Sequence, residues 1–199
     1  VEEALSKSRD LLPRFAIFSL SPIPLAVHLG FLFSDRVEVK PFQFDRDRDR
    51  WTWPDGVLGP EDKDLRTTGC PTTTTEDECE VALRVSISAK VAVDDAVAAA
   101  PAATIQIEIA AAKPSVTWLR SDEQVVAVAK AFREAVASIR ACRPRCSRIH
   151  LFAAVPAPVS IVIGQSINPR MDPAVELYEY SRQRTPRYRH ALTLREMMP

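Results

Sequence analysis

The sequence predicts an α/β fold in which two pseudo-symmetric units with largely parallel sheets are fused in one chain. The first observation is a repeat: SPIPLAVHLG at 21–30 and VPAPVSIVIG at 155–164 share two prolines, five further residues and a glycine. The second is that strand-like and helix-like segments alternate around both copies, an order typical of parallel sheets with right-handed crossovers. Together they predict the internal duplication of one βαβ module.

Each copy is predicted to form a strand, a short apolar helix and a second strand. The elements lie at 15–20, 25–31 and 37–44 in the first copy and at 149–155, 159–165 and 174–180 in the second. Two extra residues in the second copy bring Phe42 and Phe44 opposite Tyr178 and Tyr180. The repeat therefore extends to the end of the second strand.

Further elements precede the second copy. Ser121 and Gln124 have the spacing of a capping box, and the apolar stripe behind them predicts a long helix. The other predicted elements are a strand at 81–88, a short helix at 94–100, a strand at 104–109 and an amphipathic helix at 2–12.

The chain is predicted to be a single domain, 1–199, built from two halves. The first half spans 1–53 and the second spans 81–199. Residues 54–80 are polar and proline-bearing, so a partly disordered loop is predicted between the halves.

Composition limits the class of function. The chain has 26 basic and 26 acidic residues, whereas a protein that coats long DNA or RNA needs a broad positive field. A small anionic ligand needs only a local pocket. No segment has the length and apolarity of a transmembrane helix or the pattern of a secretory signal, so we expect a cytoplasmic protein without membrane contact. The chain opens inside a helical pattern without Met, which we interpret as a fragment of a longer protein.

The four cysteines match no common zinc motif. Their spacings are C-x8-C for Cys70 and Cys79 and C-x3-C for Cys142 and Cys146. We interpret them as cytosolic thiols and predict no metal. The alternatives are a disulfide, or a zinc site that His150 completes.

Candidate ligand-binding residues lie where predicted strands end, because open α/β sheets bind ligands outside the carboxyl ends of their strands. Ser86, Ser88 and Lys90 end one strand and lead into a helix. Hydroxyls, an ammonium group and helix-start amides can hold a phosphate. The alternative is that Ser88 only caps a turn and Lys90 is solvated.

The two proline turns are the second candidate. Ser21 and Pro22 follow a strand in the first copy, and Ala154 and Pro156 follow its counterpart in the second. Proline has a fixed φ and no N–H, so these turns present carbonyls and prolyl faces, and their small residues allow a base to approach closely. The alternative is a rigid turn without a ligand role.

The stretch FDRDRDRWTW at 44–53 is the third candidate. In an extended strand its aspartates and arginines would lie on opposite faces, followed by Trp51 and Trp53. Arginine forks bind phosphodiester oxygens and indoles stack on bases. A solvated edge strand guarded by charge is the alternative.

Two further pairs combine an aromatic ring with a guanidinium group. Trp118 and Arg120 lie in the loop that enters the long helix, and Tyr180 and Arg182 end the second copy. Each pair could stack on a base and hold a phosphate. For Trp118 the alternative is a plug of the core.

No catalytic residue is predicted. The sequence has no GxSxG elbow, no HExxH motif and no nuclease-like cluster of carboxylates, and we interpret His28 as a core histidine. The enzymatic alternative is metal-free hydrolysis of a cyclic nucleotide, for which no general base stands out.

The stretch RIHLFAAVPAPVSIVIGQSI followed by AVELYEY, within 148–180, resembles the C-terminal signature of the SAVED domain. That signature is a strand with Ile-His-Leu-Phe, a Pro-Ala-Pro turn, a short helix ending in glycine and a strand ending in aromatic residues. The matching residues are His150, Phe152, Pro156, Pro158, Gly164 and Tyr178. The half-repeat at 15–46 strengthens the resemblance, because SAVED domains consist of two fused CARF-like, Rossmann-like units.

The resemblance implies a sensor of a cyclic oligonucleotide made in bacterial CBASS antiphage signalling, with no cofactor besides that ligand. It further implies a homo-oligomer that assembles on ligand binding and activates an N-terminal HNH nuclease acting on DNA, which this sequence does not include. Among cyclic di- and trinucleotides, a dinucleotide such as a cGAMP isomer is favoured. A ring-nuclease-like enzyme and a ligand-free assembly domain are the alternatives.

Overall fold

The structure is a computed structural model that describes residues 14–34, 36–45, 48–53 and 65–195. Its strands are β1 (Arg14–Phe18), β2 (Glu38–Phe42), β3 (Phe44–Asp45), β4 (Arg50–Trp51), β5 (Leu65–Thr68), β6 (Cys79–Ser86), β7 (Ala103–Ala111), β8 (Cys146–Ala154), β9 (Ala174–Tyr180) and β10 (Tyr188–Leu194). Its helices are α1 (Ile23–Phe33), α2 (Val93–Ala99), α3 (Asp122–Cys142) and α4 (Ala157–Gln165). The predicted helix at 2–12 lies outside the described residues.

A six-stranded sheet in the order β10-β9-β8-β6-β7-β5 forms the larger part of the fold. The four central strands run parallel to one another, whereas the edge strands β5 and β10 are antiparallel to their neighbours. The central strand β6 is buried from Val81 to Ser86, as expected for a parallel strand that is covered on both faces. The predicted α/β fold with a largely parallel sheet is therefore confirmed.

Alternate side chains of β6 pack on opposite faces of this sheet. Val81, Leu83 and Val85 belong to the larger core, which also contains the buried residues of α3 and α4. Ala82 belongs to a smaller core on the other face, where Ala96 of α2 covers the sheet. Two cores of unequal size therefore enclose the sheet.

The helix α3 begins at the predicted capping box. Ser121 Oγ accepts the N–H of Gln124, and Gln124 Oε1 accepts the N–H of Ser121. The buried stripe that follows includes Val125, Phe132 and Ile139. No helix within the described ranges is long and apolar enough to cross a membrane.

The first half repeats the strand pairing of the second half. β1 pairs with β2 in parallel, with Phe15 opposite Val39, and β8 pairs with β9 in parallel, with Ile149 opposite Val175. In the alignment Phe15 is equivalent to Ile149, and Val39 is equivalent to Val175 once the two extra residues of the second copy are included. The identical register supports the predicted duplication of one βαβ module.

Each half also contains a cluster of three rings, in which two rings stack and a third meets the first edge-on. The clusters are Phe18, Phe42 and Trp51 in the first half and Phe152, Tyr178 and Tyr188 in the second. The stacked centroids are 4.9 and 4.4 Å apart, and the edge-on pairs both have an interplanar angle of 76°. Trp51 and Tyr188 are thus equivalent, although the sequence alignment stops before them.

The two glycines of the repeat lie where α1 crosses α4. A Cβ on Gly30 would stand 1.9 Å from the carbonyl oxygen of Ile161, and a Cβ on Gly164 would stand 1.9 Å from that of Val27. Ile161 and Val27 each lie three residues before the glycine of their own helix, so the two contacts are symmetric. Because backbone meets backbone here, neither helix can carry a side chain at the crossing.

The stretch 44–53 does not form the predicted continuous strand. β3 pairs antiparallel with β4, and the chain turns between them, where Asp49 has a φ of 49°. Within the turn, Asp45 accepts the N–H of Arg48 at 3.2 Å. The predicted separation of aspartates and arginines onto opposite faces of one continuous strand is therefore wrong, because the strand β3 ends at Asp45 and pairs antiparallel with β4. Arg46 and Asp47 of the run lie outside the described residues.

Two edge strands lie where the sequence predicts none. β5 lies within the predicted loop 54–80 and pairs with β7, while residues 54–64 of that loop lie outside the described residues. β10 pairs with β9. Both strands are largely exposed, so neither carries the apolar alternation that identifies buried strands.

We expect Gly30→Ala and Gly164→Ala each to lower the free energy of unfolding by about 1–3 kcal/mol, because the new methyl group would displace the facing helix. At a helical site with open space the same change would raise the free energy of unfolding by about 1 kcal/mol. The sign of the change therefore distinguishes a close helix crossing from an open site. Urea denaturation measures it, with Leu32→Ala on the exposed side of α1 as the control. A stabilised variant would contradict the close crossing.

Candidate functional site at the carboxyl edge of the main sheet

The chain leaves the neighbouring strands β6 and β8 in opposite directions. β6 leads through α2 to β7 on one side, and β8 leads through α4 to β9 on the other. In open α/β sheets, a crevice for ligands forms outside the carboxyl ends of such a strand pair. Here those ends are Ser86 and Ala154, which face each other in register.

Hydrogen bonds join the three loops that follow β6, β7 and β8. The N–H groups of Ile87 and Ser88 both donate to the carbonyl oxygen of Ala154, at 3.0 and 2.7 Å. The N–H of Ser115 donates to the carbonyl oxygen of Ile87 at 2.9 Å. The structure therefore brings the predicted residues Ser88 and Ala154 together at one edge of the sheet, next to Pro156.

The proline turn of the first half reaches the same part of the second half. The start of α1 packs against β8 and β9 and leaves no room for a water molecule between them. The residues around this contact are Ile23, Pro24, Val27, Leu151, Ala153, Leu177 and Tyr178. Ser21 and Pro22 immediately precede this contact and are exposed. Both proline turns are thus associated with the second half's sheet, as the duplication predicts.

Hydroxyl groups two residues apart follow three of the strands. Ser19 and Ser21 lie beyond β1 with their oxygens 2.7 Å apart, and Ser115 and Thr117 lie beyond β7 with theirs 2.9 Å apart. Of these four residues, only Ser21 is among the predicted ligand-binding residues. The other three belong to a repeated sequence pattern of two hydroxyl residues with one residue between them, in SLS, SIS and SVT.

Three cationic residues lie in these loops: Lys90, Lys113 and Arg120. Lys113 is exposed in the loop that follows β7. Lys90 is exposed between β6 and α2. Arg120 is half-buried at the start of α3, where its backbone N–H donates to Gln124 Oε1 at 2.7 Å. Positive charge at this edge suits an anionic ligand, although the chain as a whole is neutral.

Trp118 is not available as the predicted stacking platform in this conformation. Its side chain is only 5% exposed and belongs to the larger core, so the alternative interpretation of a core plug fits the structure. The indole Nε1 is buried without a hydrogen-bond partner. Its backbone carbonyl accepts Gln124 Nε2 at 3.0 Å, which ties the loop to the capping box of α3.

Trp51 and Trp53 are half-buried and lie in the first half. Trp51 packs against Phe18 and Phe44, with ring centroids 5.4 and 5.1 Å apart. Trp53 packs against the larger core. Since Phe18 ends β1, Trp51 lies at the carboxyl edge of the first half rather than in the joined loops of the second.

Tyr180 and Arg182 lie on the hairpin between β9 and β10. The Tyr180 ring is 43% exposed and its centroid lies 5.2 Å from that of Tyr188. Arg182 is exposed in the turn. Because β9 is parallel to β8, Tyr180 is at the same edge of the sheet as Ala154.

His150 does not join the cysteines in a metal site. Its Nδ1 and Nε2 lie 2.8 Å from the hydroxyl of Tyr178 and from a carboxylate oxygen of Glu80. Burial, with the neighbouring Cys79 adding to it, raises the pKa of the Cys146 thiol to about 12, which disfavours the thiolate that zinc needs. Among the described residues, no three His, Cys, Asp or Glu side chains form a group that could hold a metal.

Burial also raises the pKa of Tyr178 to about 12, so its hydroxyl stays protonated beside His150. Glu80 in turn bonds Arg148 at 3.2 Å, near the amino ends of β6 and β8. Glu80 and Arg148 lie near the amino ends of their strands, and His150 and Tyr178 lie in the middle of theirs, so the polar group is away from the joined loops. It braces the sheet rather than the candidate site.

A sequence-family model and solved structures match the chain. The model of the SMODS-associated and fused to various effectors sensor domain, SAVED, matches residues 1–194. A comparison with curated protein sequences found no match.

The similar structures are SAVED/CARF-domain receptors named Cap4. That of Acinetobacter baumannii with the cyclic trinucleotide 2′3′3′-cAAA is 14% identical, has a TM-score of 0.65, and is matched over 92% of this chain and 38% of the receptor. With 3′3′3′-cAAA the TM-score is 0.64 at the same identity and coverage. The Moraxella osloensis receptor is 16% identical, with a TM-score of 0.60 over 91% of this chain and 36% of its own. The chain thus spans less than two fifths of these receptors.

We expect Trp118→Ala to lower the free energy of unfolding by about 3–5 kcal/mol, since it empties a core position. Trp118→Phe costs less, because the buried Nε1 has no hydrogen bond to lose. Urea denaturation compares both with Val116→Ala, a change at an exposed residue of the same loop. A stable Trp118→Ala protein would contradict the buried position and restore the stacking interpretation.

Proposed function

The chain belongs to the SAVED family of sensor domains, and we propose that it binds a cyclic oligonucleotide at the carboxyl edge of its main sheet. The observation that carries the proposal is the joining of three strand-end loops beside β6 and β8, where α/β sheets bind ligands. Two similar receptors were solved with cyclic trinucleotides, which supports the same class of ligand here.

The chemistry of these loops suits phosphodiester groups. Ser88 and Ser115 offer hydroxyls, and Lys90 offers a cation that the described residues do not engage in an ion pair. The prolines and small residues of the turns leave room for a base. Tyr180 and Trp51 of the first half are the proposed rings for stacking on a base. Trp118 is excluded because its side chain is buried.

The ring size is open to experiment. The resemblance favours a dinucleotide such as a cGAMP isomer, whereas the two receptor structures contain cyclic trinucleotides. We propose further that binding promotes assembly of identical chains and activates an effector fused to this domain, in the cytoplasm. The competing proposal is that the chain cleaves the ligand, which is tested by measuring whether the ligand is intact after incubation.

Incubation with 2′3′3′-cAAA, 3′3′3′-cAAA and 3′3′-cGAMP tests the function. At a concentration one hundred times its Kd, a true ligand stabilises the folded state by about 2.7 kcal/mol, which raises the melting temperature. Chromatography then shows whether the ligand remains intact, as a sensor requires. Loss of the ligand would favour the enzyme, and no shift with a wider panel of cyclic di- and trinucleotides would favour a ligand-free assembly domain.

We expect Lys90→Ala to weaken binding of the best ligand of that panel and to reduce the dependence of Kd on salt, because a phosphate contact is lost. Lys130→Ala is the matched control, since Lys130 is an exposed lysine on α3 that pairs with Glu134. Calorimetry at two salt concentrations measures both variants. Equal Kd values and salt slopes for Lys90→Ala and the parent would remove Lys90 from the site.

A further inference from the structure

The loop that carries Lys90, residues 87–91, is held at both ends, and we call it the arch. At one end, Ile87 is fully buried and the N–H of Ser88 bonds Ala154. At the other end, Val91 is 1% exposed and packs in the smaller core. Between these anchors only Ala89 and Lys90 are exposed.

A buried polar cluster supplies the second anchor. Ser86 Oγ accepts the N–H of Val91 at 3.0 Å and donates to Glu108 Oε1 at 2.9 Å. Arg84 Nη1 donates to the carbonyl oxygen of Val91 at 2.9 Å and lies 3.2 Å from Glu108 Oε2. Both backbone polar groups of Val91 are therefore bonded to side chains of β6.

Stability alone does not account for this cluster. Arg84 is 5% exposed and Ser86 is fully buried on a strand whose other residues are mostly apolar. A buried ion pair is often no more stabilising than apolar residues of the same volume. Moreover, Arg84 Nε is buried without a hydrogen-bond partner, so the guanidinium is not fully satisfied.

The contacts of the cluster with Val91 indicate what it does. Glu108 orients both Ser86 and Arg84, and these two residues bond the backbone of the residue next to Lys90. A cation on a rigid arch loses less freedom when it meets a phosphate than one on a mobile loop. The polar cluster thus fixes the position of a charge that it does not touch.

We infer that Arg84, Ser86 and Glu108 are positioning residues that hold Lys90 for contact with a phosphate of the ligand. The inference rests on the proposed function. A substitution that loosens the arch keeps the charge of Lys90 but lets its side chain occupy more positions. The resulting loss of ligand affinity therefore depends on the presence of Lys90.

The test is a double-mutant cycle on Ser86 and Lys90, with 3′3′3′-cAAA and 3′3′-cGAMP as probes. Ser86→Ala is expected to raise Kd about five-fold, the effect of one lost hydrogen bond. In the Lys90→Ala background the same change is expected to leave Kd nearly unaltered. Ser138→Ala is the matched control, because Ser138 Oγ also bonds a backbone group, the carbonyl oxygen of Ala135, but lies on α3.

Hydrogen exchange separates positioning from a general loss of stability. In Ser86→Ala, the Val91 amide is expected to exchange faster, while the Ser88 amide keeps its protection through Ala154. Unchanged exchange at Val91, or effects of Ser86→Ala and Lys90→Ala that add, would overturn this inference alone. Failure of the parent protein to bind any cyclic oligonucleotide would overturn the proposed function and the inference with it. If Ser86→Ala folds poorly, Glu108→Gln replaces it in the double-mutant cycle with Lys90→Ala.

Discussion

Two helices in backbone contact determine how the halves of this protein fit together. At the crossing of α1 and α4, the positions of Gly30 and Gly164 leave no space for a side chain, and each faces a carbonyl oxygen of the other helix. Both helices begin at a proline turn and follow equivalent strands. The crossing therefore fixes the distance between the two turns, and with them the carboxyl edges from which any ligand would be held.

Much of this arrangement is readable from the repeat. The spacing of prolines and glycines predicts the equivalent elements. The alignment with its two-residue insertion matches the equivalent strand pairs Phe15–Val39 and Ile149–Val175 that the structure shows. The repeated glycines do not predict the helix crossing, because a single sequence does not tell which backbone approaches them. The capping box at Ser121 is local, which is why pattern alone identifies it.

The errors have physical reasons. Trp118 is polar at one atom and follows a strand, which suggests a surface platform, yet most of the indole is apolar and the adjacent core has room for it. Charged residues alternate in the run at 44–53 as they would in one strand, but the chain reverses direction at a turn that contains Asp49. The alternation of residue types does not reveal where a chain reverses. The Arg84–Glu108 pair is beyond sequence inference, because the residues are far apart in the chain and meet only through strand pairing.

The repeat at 21–30 and 155–164 places two related segments in one chain rather than in two identical subunits. In a symmetric homodimer every residue of a binding cleft occurs twice, so one substitution alters both half-sites. Here the two aromatic clusters are encoded separately, and they differ: Phe18 is 52% exposed, whereas its counterpart Phe152 is fully buried in the smaller core. Because one chain encodes both turns separately, a substitution can change one turn while the other stays the same. If the chain binds a ring as proposed, selection can favour recognition of mixed bases or mixed linkages, a discrimination that strict symmetry denies to a dimer.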